Sequence, residues 1–505
     1  MKDLGITHVH ILPSFDYATV DETKLETEQF NWGYDPKNYN VPEGSYATDP
    51  YNGNIRVEEY KEMVQTLHEN GIRVVMDVVY NHTFNTEESN FQKIVPDYYY
   101  RMNGELYSNA SGCGNETASE RSMMRKFMID SVVYWAEEYH VDGFRFDLMG
   151  IHDMETMNAI RAALNEVDPS IIIYGEGWTS GDSTLSESER ALKKSTYKME
   201  GIAAFSDDIR DGIKGNVFDS LDKGFVSGAD NLAEAIKYSV VGATENAQID
   251  YDSYEKTNGW WAGSPEQTIN YASCHDNLTL WDKLAISNGD DSEEDRIKMN
   301  KLSSAIVFTS QGIPFLQAGE EMLRSKEMED GTFSENSYNL PDSVNSIKWE
   351  NKGNTIEVYN YYKGLIALRK AHPAFRMTTT KEVQDNLTFL DTTDTKTVAY
   401  TIDNSPNGEK AESIFVAYNA NNEEVVLELP EGKWNLYVNG EKAGTEIIET
   451  VSKTVTVSPI SAVVLMKEGS KGADMNTSTL LVIGIGAVVV IGVAIVVGVR
   501  RSKKR

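Results

Sequence analysis

The chain has 505 residues, of which 78 are acidic and 47 basic, so its formal net charge is −31. This length has room for roughly two to four domains, and the shortage of Lys and Arg argues against nucleic acid as a partner, because phosphate binding depends on basic patches. The two cysteines, Cys113 and Cys274, form neither a disulfide framework nor a zinc pattern.

Apolar runs alternate with helix-like stretches through the first two-thirds of the chain. Such alternation indicates βαβ units and a parallel sheet. At this length it predicts an α/β fold of the (β/α)₈ TIM-barrel class; the alternative is an open doubly wound sheet, but no Gly-rich phosphate loop follows a strand. The predicted strands are 8–12, 73–80, 141–147, 171–175, 201–205, 268–273 and a last region of 304–308 with 313–316, and the predicted helices are 57–67, 124–135, 155–167 and 355–371.

The predicted secondary structure changes in character near residue 375. Residues 1–375 are assigned to the barrel, and the alternating short strands of 376–467, separated by turn signals such as Asn439-Gly440, predict a C-terminal antiparallel β-sandwich. Residues 85–117 form a long polar and aromatic insertion between a strand and its helix, and loops of this length tend to be functional.

The last forty residues or so are different in kind. Residues 468–479 have the composition of a flexible stalk, and residues 480–499 are an uninterrupted apolar run that matches the thickness of a bilayer. The basic tail 500–505 stays on the cytoplasmic side by the positive-inside rule. We therefore expect a single-pass protein of the cell membrane with its large domains outside the cell. The first four residues do not resemble a signal peptide, so the true N-terminus is expected to be missing.

Acidic residues follow three of the strand-like runs. Arg145 and Asp147 lie two residues apart and so share one face of a strand; the cation is expected to lower the pKa of the carboxylate. Glu176 follows the next run, and Asp276 follows a later one. Because active sites of barrels form at the carboxyl ends of the strands, we expect these acids to share one site. Solvated charges at loop entrances are the alternative for any one of them alone.

Two carboxylates at one site are what glycoside cleavage requires. Asp147 suits an ionised nucleophile. Glu176 lies between two glycines and near Trp178, a setting that can desolvate it and raise its pKa, so it suits the proton donor. Asp276, beside His275, would hold the sugar by hydrogen bonds.

Other polar and aromatic side chains are placed to bind a sugar. His82 falls at the end of the run 77–82, where it can donate a hydrogen bond to a hydroxyl group, while Asp77 lies deeper and would brace Arg145. Trp32 and Tyr34 belong to a loop rich in Asn, Gly and Pro, and their ring faces can stack on sugar rings.

Four runs in this order, 77–82, 143–147, 175–178 and 275–277, resemble the four sequence signatures of the α-amylase superfamily, glycoside hydrolase family 13. Each run is weak alone, whereas the ordered set is specific. Residues 30–36 resemble the Tyr-Asn-Trp-Gly-Tyr-Asp-Pro motif of type I pullulanases, with Phe30 in place of the first Tyr, and the runs 111–115 and 336–345 are also similar to that group. The resemblance covers about residues 1–467.

The resemblance implies a retaining glycoside hydrolase that cleaves α-1,6-glucosidic linkages of pullulan, branched starch or limit dextrins, with an α-glucan as its partner. No cofactor is required; some relatives carry Ca²⁺, so a calcium ion is possible, but no ligand set here predicts one. The implied roles are nucleophile for Asp147, acid/base for Glu176 and transition-state stabiliser for Asp276. The implied substrate-binding residues are Tyr34, His82, Arg145 and His275, with Trp178, Asn277 and Trp32 at neighbouring subsites.

Compared with that group, the chain opens at the turn into what should be the second barrel strand, so we expect the first strand to be missing. Two other functions remain open. One is an α-amylase-superfamily enzyme acting on α-1,4 linkages, and the other is a non-catalytic, membrane-tethered glucan-binding protein. The loop around Trp32 and the Gly-Glu-Gly-Trp form of the third signature favour debranching, and the presence of all three acids argues against a binding protein.

Overall fold

The computed structural model describes residues 1–253, 259–392 and 394–468. Its larger part is a curled, parallel sheet in which the strands lie side by side in chain order. Together with the helices between the strands, this sheet gives the TIM-barrel-like fold that the sequence predicts. Within the described residues this sheet has seven strands: β1 (His8–Ile11), β2 (Arg73–Val78), β3 (Gly143–Phe146), β4 (Ile172–Gly175), β5 (Ile202–Phe205), β6 (Thr268–Asn270) and β7 (Ile313–Pro314).

Capping side chains mark where most of the helices between these strands begin. Asp153 accepts a hydrogen bond from the Thr156 amide, 2.8 Å away, and Ser206, Thr279 and Ser292 act in the same way, satisfying amides that a helix leaves unpaired. The helices are α1 (Gly53–Glu69), α2 (Ser122–Tyr139), α3 (Met154–Val167), α4 (Asp207–Lys214), α5 (Ala233–Val240), α6 (Leu280–Ser287), α7 (Glu293–Thr309) and α8 (Ile356–Ala371), with short helices at Asn90–Ile94, Asp342–Asn345, Asn351–Asn354 and Thr380–Asn386.

The predicted strand at residues 304–308 is wrong, because these residues lie inside α7. The error has a physical cause. Every residue of α7 from Met299 to Thr309 is buried, polar side chains such as Asn300 and Ser304 included, so this part of the helix has no exposed face. Residues 305–308 form a continuous apolar run without a helical period. A short apolar run of this kind cannot be told from a buried strand by pattern alone. The strand in this region is β7, which is only two residues long.

An antiparallel β domain follows α8, as predicted. Six of its strands form one sheet in the order β8-β9-β10-β15-β12-β13, and β11 pairs with β14. Phe415, Trp434 and Val457 belong to one hydrophobic cluster that joins the two sheets. The strands are β8 (Leu387–Leu390), β9 (Thr397–Asp403), β10 (Ala411–Asn419), β11 (Val425–Glu428), β12 (Trp434–Val438), β13 (Glu449–Val451), β14 (Thr454–Val457) and β15 (Ser461–Glu468).

The barrel and the β domain share one hydrophobic core. That cluster contains side chains of α7 and α8 together with the inward-facing residues of β9, β10 and β15. Polar contacts reinforce it: Tyr400 Oη donates to the Thr309 carbonyl at 2.9 Å, and Tyr418 Oη is hydrogen-bonded to Thr309 Oγ1. Arg369 of α8 donates to the carbonyls of Phe308 and Ser310, at 2.9 and 2.7 Å, and so satisfies the end of α7.

The predicted transmembrane helix 480–499 and basic tail 500–505 lie outside the described residues, as does the predicted stalk after residue 468. In the part of the chain that is described, no helix combines the length and the apolar character needed to cross a bilayer.

Candidate active site

Arg145 lies at the centre of a cluster of acids at the carboxyl ends of β2, β3 and β4. Its side chain is 2% exposed. Nη1 contacts Asp77 Oδ1 at 3.0 Å and Asp147 Oδ1 at 2.9 Å, and Nη2 contacts Glu176 Oε1 at 2.8 Å. The parallel register brings these groups together, since Asp77 pairs with Arg145 across the sheet. One guanidinium therefore faces three carboxylates from three successive strands.

The pKa of the Asp147 carboxyl is raised to about 6, because the cost of burying its charge exceeds the stabilisation that Arg145 provides. The sequence-based expectation of a lowered pKa is therefore wrong, since burial at the strand end could not be weighed from residue spacing. Asn81 Nδ2 donates to Asp147 Oδ2 at 2.7 Å. Even with a pKa of about 6, Asp147 is mostly ionised at neutral pH.

The pKa of the Glu176 carboxyl is raised further, to about 8, by burial, with Arg145 opposing the shift and the charges of Asp147 and Asp276 adding to it. The backbone amide of Leu148 donates to Glu176 Oε2 at 2.9 Å. Leu148 has a φ of +40°, an uncommon left-handed conformation for a leucine, which aims its amide at the carboxyl. At neutral pH, Glu176 thus holds a proton while its neighbour Asp147 does not.

Asp276 stands on the turn after β6 and is the most exposed of the predicted acids, with 44% of its side chain accessible. Its Oδ2 lies 3.4 Å from Nε2 of His275. Burial lowers the pKa of His275 to about 4, so this imidazole is neutral at pH 7. Asn277, the next residue, has a φ of +61°, which turns the chain sharply away from the strand.

Aromatic rings of the loop after β1 form one wall of the site. Tyr34 Oη donates to Asp77 Oδ2 at 2.7 Å, and the Tyr34 ring stacks on His275 with the centroids 5.2 Å apart. Trp32 meets the same imidazole edge-on at 4.8 Å. The loop and the β6 turn, distant in sequence, are thereby held together.

His82 is buried against Asn81 at the end of β2. Its Nδ1 lies 2.6 Å from Asn81 Oδ1, and burial lowers its pKa to about 4. Since the Asn81 amide nitrogen donates to Asp147, its oxygen is the acceptor, and Nδ1 of a neutral His82 carries the proton. The chain His82–Asn81–Asp147 fixes the orientation of the carboxylate.

Trp178, also predicted as a binding residue, packs against a small cluster of Ala110, Leu148 and Ile151 and is partly buried. It therefore connects the insertion 85–117 with the loop after β4. Asn115 holds that insertion to the segment after β2, accepting from the Thr83 amide at 3.0 Å and donating to its carbonyl at 2.8 Å.

Two residues of the site carried no sequence signal. His10 of β1 contacts Asp77 Oδ2 through Nε2 at 3.1 Å. Lys326, 1% exposed, donates from Nζ to the His275 carbonyl at 2.5 Å. A lone histidine in a strand and a lone lysine in a loop have no periodic partner, so only the fold identifies them.

In the described part of the chain, two groups of side chains bring possible metal-ligand atoms within 4.8 Å of one another. One group is Cys274, His275 and Asp276, and the other is Asp16, Glu22 and Glu43. The second group already has a cation, because Arg56 contacts Glu22 at 2.6 Å and Asp16 at 3.5 Å. Neither group is specific enough to assign a metal ion.

Two family profiles match parts of the chain, and known proteins match most of it. A family profile described as "Alpha amylase, catalytic domain" matches residues 1–115, and one described as "Pullulanase, all-beta domain" matches residues 383–442. The pullulanase of Bacillus subtilis (strain 168) is 37% identical over 471 residues, covering 92% of this chain and 62% of that protein.

Two solved structures are similar to most of the chain. The pullulanase from Paenibacillus barengoltzii, complexed with maltohexaose and α-cyclodextrin, has a TM-score of 0.86 at 44% identity and covers 92% of this chain and 70% of that one. The pullulanase from Bacillus acidopullulyticus has a TM-score of 0.86 at 46% identity, with 92% and 55% covered. The chain thus spans between about half and two-thirds of the length of these relatives.

Proposed function

The chain belongs to the type I pullulanases of glycoside hydrolase family 13, and from this membership we propose that it hydrolyses α-1,6-glucosidic linkages of pullulan, branched starch or limit dextrins with retention of configuration. The observation that carries the proposal is the cluster around Arg145. It holds two carboxyl groups, Asp147 and Glu176, whose pKa values of about 6 and about 8 lie on opposite sides of neutrality. A retaining glycosidase needs one ionised and one protonated carboxyl at the same bond.

In this mechanism, ionised Asp147 attacks the anomeric carbon and forms a covalent glycosyl–enzyme bond. Glu176 gives its proton to the departing glycosidic oxygen as the C–O bond breaks. The resulting Glu176 carboxylate then takes a proton from water, and the water oxygen displaces Asp147 from the anomeric carbon. Both carboxyl groups end in their starting protonation states, and the two inversions give net retention.

The remaining candidates bind and orient the substrate. Tyr34, His82, Arg145 and His275 would line the subsite next to the cleaved bond, with Asp276 stabilising the oxocarbenium-like transition state, and Trp178, Asn277 and Trp32 would serve neighbouring subsites. Arg145 contacts both carboxyl groups, and His82 is linked to Asp147 through Asn81, which supports their roles. Tyr34 joins the same cluster through Asp77 and stacks on His275. The complex of the similar Paenibacillus barengoltzii pullulanase with maltohexaose and α-cyclodextrin supports an α-glucan as the ligand.

Attachment to the cell membrane is part of the proposal and is supported by sequence alone. The apolar run 480–499 followed by the basic tail 500–505 would form a single C-terminal span with the catalytic part outside the cell. Fractionation of cells expressing the full chain, before and after deletion of 480–499, tests this; recovery of both proteins in the soluble fraction would contradict it.

Product analysis on pullulan tests the activity. We expect the full chain to release maltotriose, the product of α-1,6 cleavage, and Asp147→Asn to release none, because the isosteric amide cannot act as the nucleophile. Asp130→Asn changes an exposed acid of α2 that pairs with Lys126; it is the matched control and should behave like the parent.

The same assay separates the alternatives. Panose-type products would indicate an enzyme acting on α-1,4 linkages. Tight binding of pullulan without turnover by a chain that melts cooperatively would indicate a glucan-binding protein instead.

A further inference from the structure

Lys326 lies on the loop after β7 and touches both ends of the turn that carries Asp276. We propose that Lys326 is a positioning residue, which holds residues 275–282 in place against Trp32 so that Asp276 is correctly aimed at the substrate. This inference rests on the proposed hydrolase function, and it assigns a task to a buried lysine that the mechanism above does not use.

The two attachments of Lys326 are on opposite ends of the turn. Its side-chain Nζ donates to the carbonyl of His275 at 2.5 Å, immediately before Asp276. Its backbone amide donates to Oδ2 of Asp282 at 2.8 Å, in the first turn of α6. Lys326 therefore connects the two ends of the segment between β6 and α6.

The backbone of Lys326 is itself held in place. Its carbonyl accepts a hydrogen bond from the Ser334 amide at 3.0 Å, and Glu327 pairs with Phe333 in an isolated bridge. Asp282, the acceptor of its amide, is fixed in turn because its own amide bonds to Thr279 Oγ1 at 3.1 Å. The side chain thus extends from an anchored point, which is what a positioning group requires.

A third contact joins Lys326 to the aromatic wall. Nζ lies 5.0 Å from the centroid of the Trp32 ring, within the range of a cation–π interaction. Trp32 in turn packs edge-on against His275. The ammonium group consequently fixes the backbone of His275 on one side and the ring that contacts its imidazole on the other.

The charge of Lys326 is kept despite burial. Its side chain is 1% exposed, and burial, with Arg324 nearby, lowers its pKa to about 8, while Cys274, Asp276 and Asp282 favour the charged form. Burying an ammonium group costs free energy. If packing were the only requirement, a methionine would fill this space at a lower cost. The cation is retained where a strong donor to a carbonyl is needed.

Asp276 depends on this support more than the other acids do. Asp147 and Glu176 are each tied to Arg145 by a short contact, whereas the Asp276 carboxylate is 44% exposed and lies 3.4 Å from His275 Nε2. Its position is therefore set mainly by the backbone that Lys326 holds. A displacement of about 1 Å at a catalytic group can cost about 100-fold in rate.

The test compares Lys326→Met with the parent in the full chain. We expect kcat on pullulan to fall about 10- to 100-fold while KM changes by less than about threefold, because the sugar still meets most of its contacts. Lys326→Arg, which can still donate to the His275 carbonyl, should recover part of kcat. Lys326→Leu, which also lacks the donor, replaces the methionine variant if that one does not fold.

Lys283→Met is the matched control. Lys283 is equally buried and donates from Nζ to backbone carbonyls, that of Asn216 lying 3.0 Å away, so its hydrogen bonds join α6 to the segment 216–219 and not to Trp32 or His275. The Lys283→Met substitution should lower Tm and leave kcat unchanged. A kcat within twofold of the parent for Lys326→Met, or equal losses of kcat for the two methionine variants, would overturn the inference.

Crystal structures of the parent and of Lys326→Met separate this inference from the proposed function. If the parent cleaves no glucan, the proposed function is contradicted, and the two crystal structures still show whether Lys326 positions the turn. A shift of about 1 Å or more in the His275 carbonyl and the Asp276 carboxylate supports the positioning role, and an unmoved turn contradicts it.

Discussion

The neighbouring carboxyl groups of Asp147 and Glu176 have different pKa values because their surroundings differ in a few contacts. Asp147 accepts hydrogen bonds from Asn81 and Arg145, which favour its charged form. Glu176 is buried as deeply and feels the negative charges of Asp147 and Asp276, which favour its protonated form. Burial thus raises both pKa values, and the negative charges near Glu176 add to its shift, which divides the roles between the two acids.

The pH dependence of hydrolysis follows from these values. Below about pH 6 Asp147 takes up a proton and can no longer attack; above about pH 8 Glu176 loses the proton that the leaving group needs. We expect kcat/KM on pullulan to follow a bell-shaped profile with its maximum near pH 7. Glu176→Gln should lower kcat/KM by about 10²- to 10⁴-fold and abolish the alkaline limb. An alkaline limb that persists near pH 8 in this variant would assign it to another group.

The residues that form these contacts could be foreseen only in part. The acids were recognisable because they follow apolar strand-like runs, and parallel strands deliver their carboxyl ends to one face of the sheet. His10 lies inside the predicted strand 8–12 and not after it, and Lys326 lies in a loop, so neither residue follows this pattern. The pKa of Asp147 could not be predicted because it depends on the depth of burial, which sequence spacing does not report.

At the scale of elements, the loop 30–36 depends on one glycine. Gly33 has a φ of +90°, and a Cβ added to it would lie 2.9 Å from the Pro13 carbonyl oxygen and 2.9 Å from carbons of the Tyr17 ring. Neither neighbour can give way easily, since one is backbone and the other is a buried ring. This glycine therefore sets the path of the loop that carries Trp32 and Tyr34.

Gly33→Ala is expected to combine a steric clash with backbone strain, costing on the order of 1–3 kcal/mol. Displacement of Trp32 and Tyr34 should raise KM for pullulan several-fold, and Tm should fall. Gly53→Ala is the control: the first residue of α1 has open space around its Cα, so alanine there should be neutral or slightly stabilising. Thermal melts and steady-state kinetics of both variants check this, and equal behaviour of the two would refute it.

Elements were predictable where their period was visible. The amphipathic pattern of 57–67 lies within α1, and the region 376–467, predicted to hold alternating short strands, contains β12 among others. Residues 304–308 failed because α7 is enclosed by the barrel, α8 and the β domain. The composition of these residues therefore reflects the buried position of α7 and not a local preference for a strand.

At the scale of the molecule, the barrel and the β domain are expected to unfold together, since one hydrophobic cluster and the hydrogen bonds of Thr309 connect them. Tyr418→Phe removes one of these bonds at a cost of about 1 kcal/mol. Calorimetry should show a single transition lowered by about 1–2 °C with unchanged kcat. Thr456→Ala, on the exposed face of β14, should leave the transition in place. Two separated transitions would show that the domains unfold independently.

At neutral pH the single guanidinium of Arg145 faces the ionised carboxylates of Asp77 and Asp147 while Glu176 keeps its proton, so this cluster holds more negative than positive charge. A neutral glucan cannot balance this excess, but a sugar that gains positive charge can, and the oxocarbenium-like transition state is such a species. The same excess of negative charge should determine which inhibitors bind more tightly. A sugar analogue carrying a basic amine should bind more tightly than its uncharged counterpart, with an advantage that grows as Asp147 ionises and vanishes once the amine loses its proton.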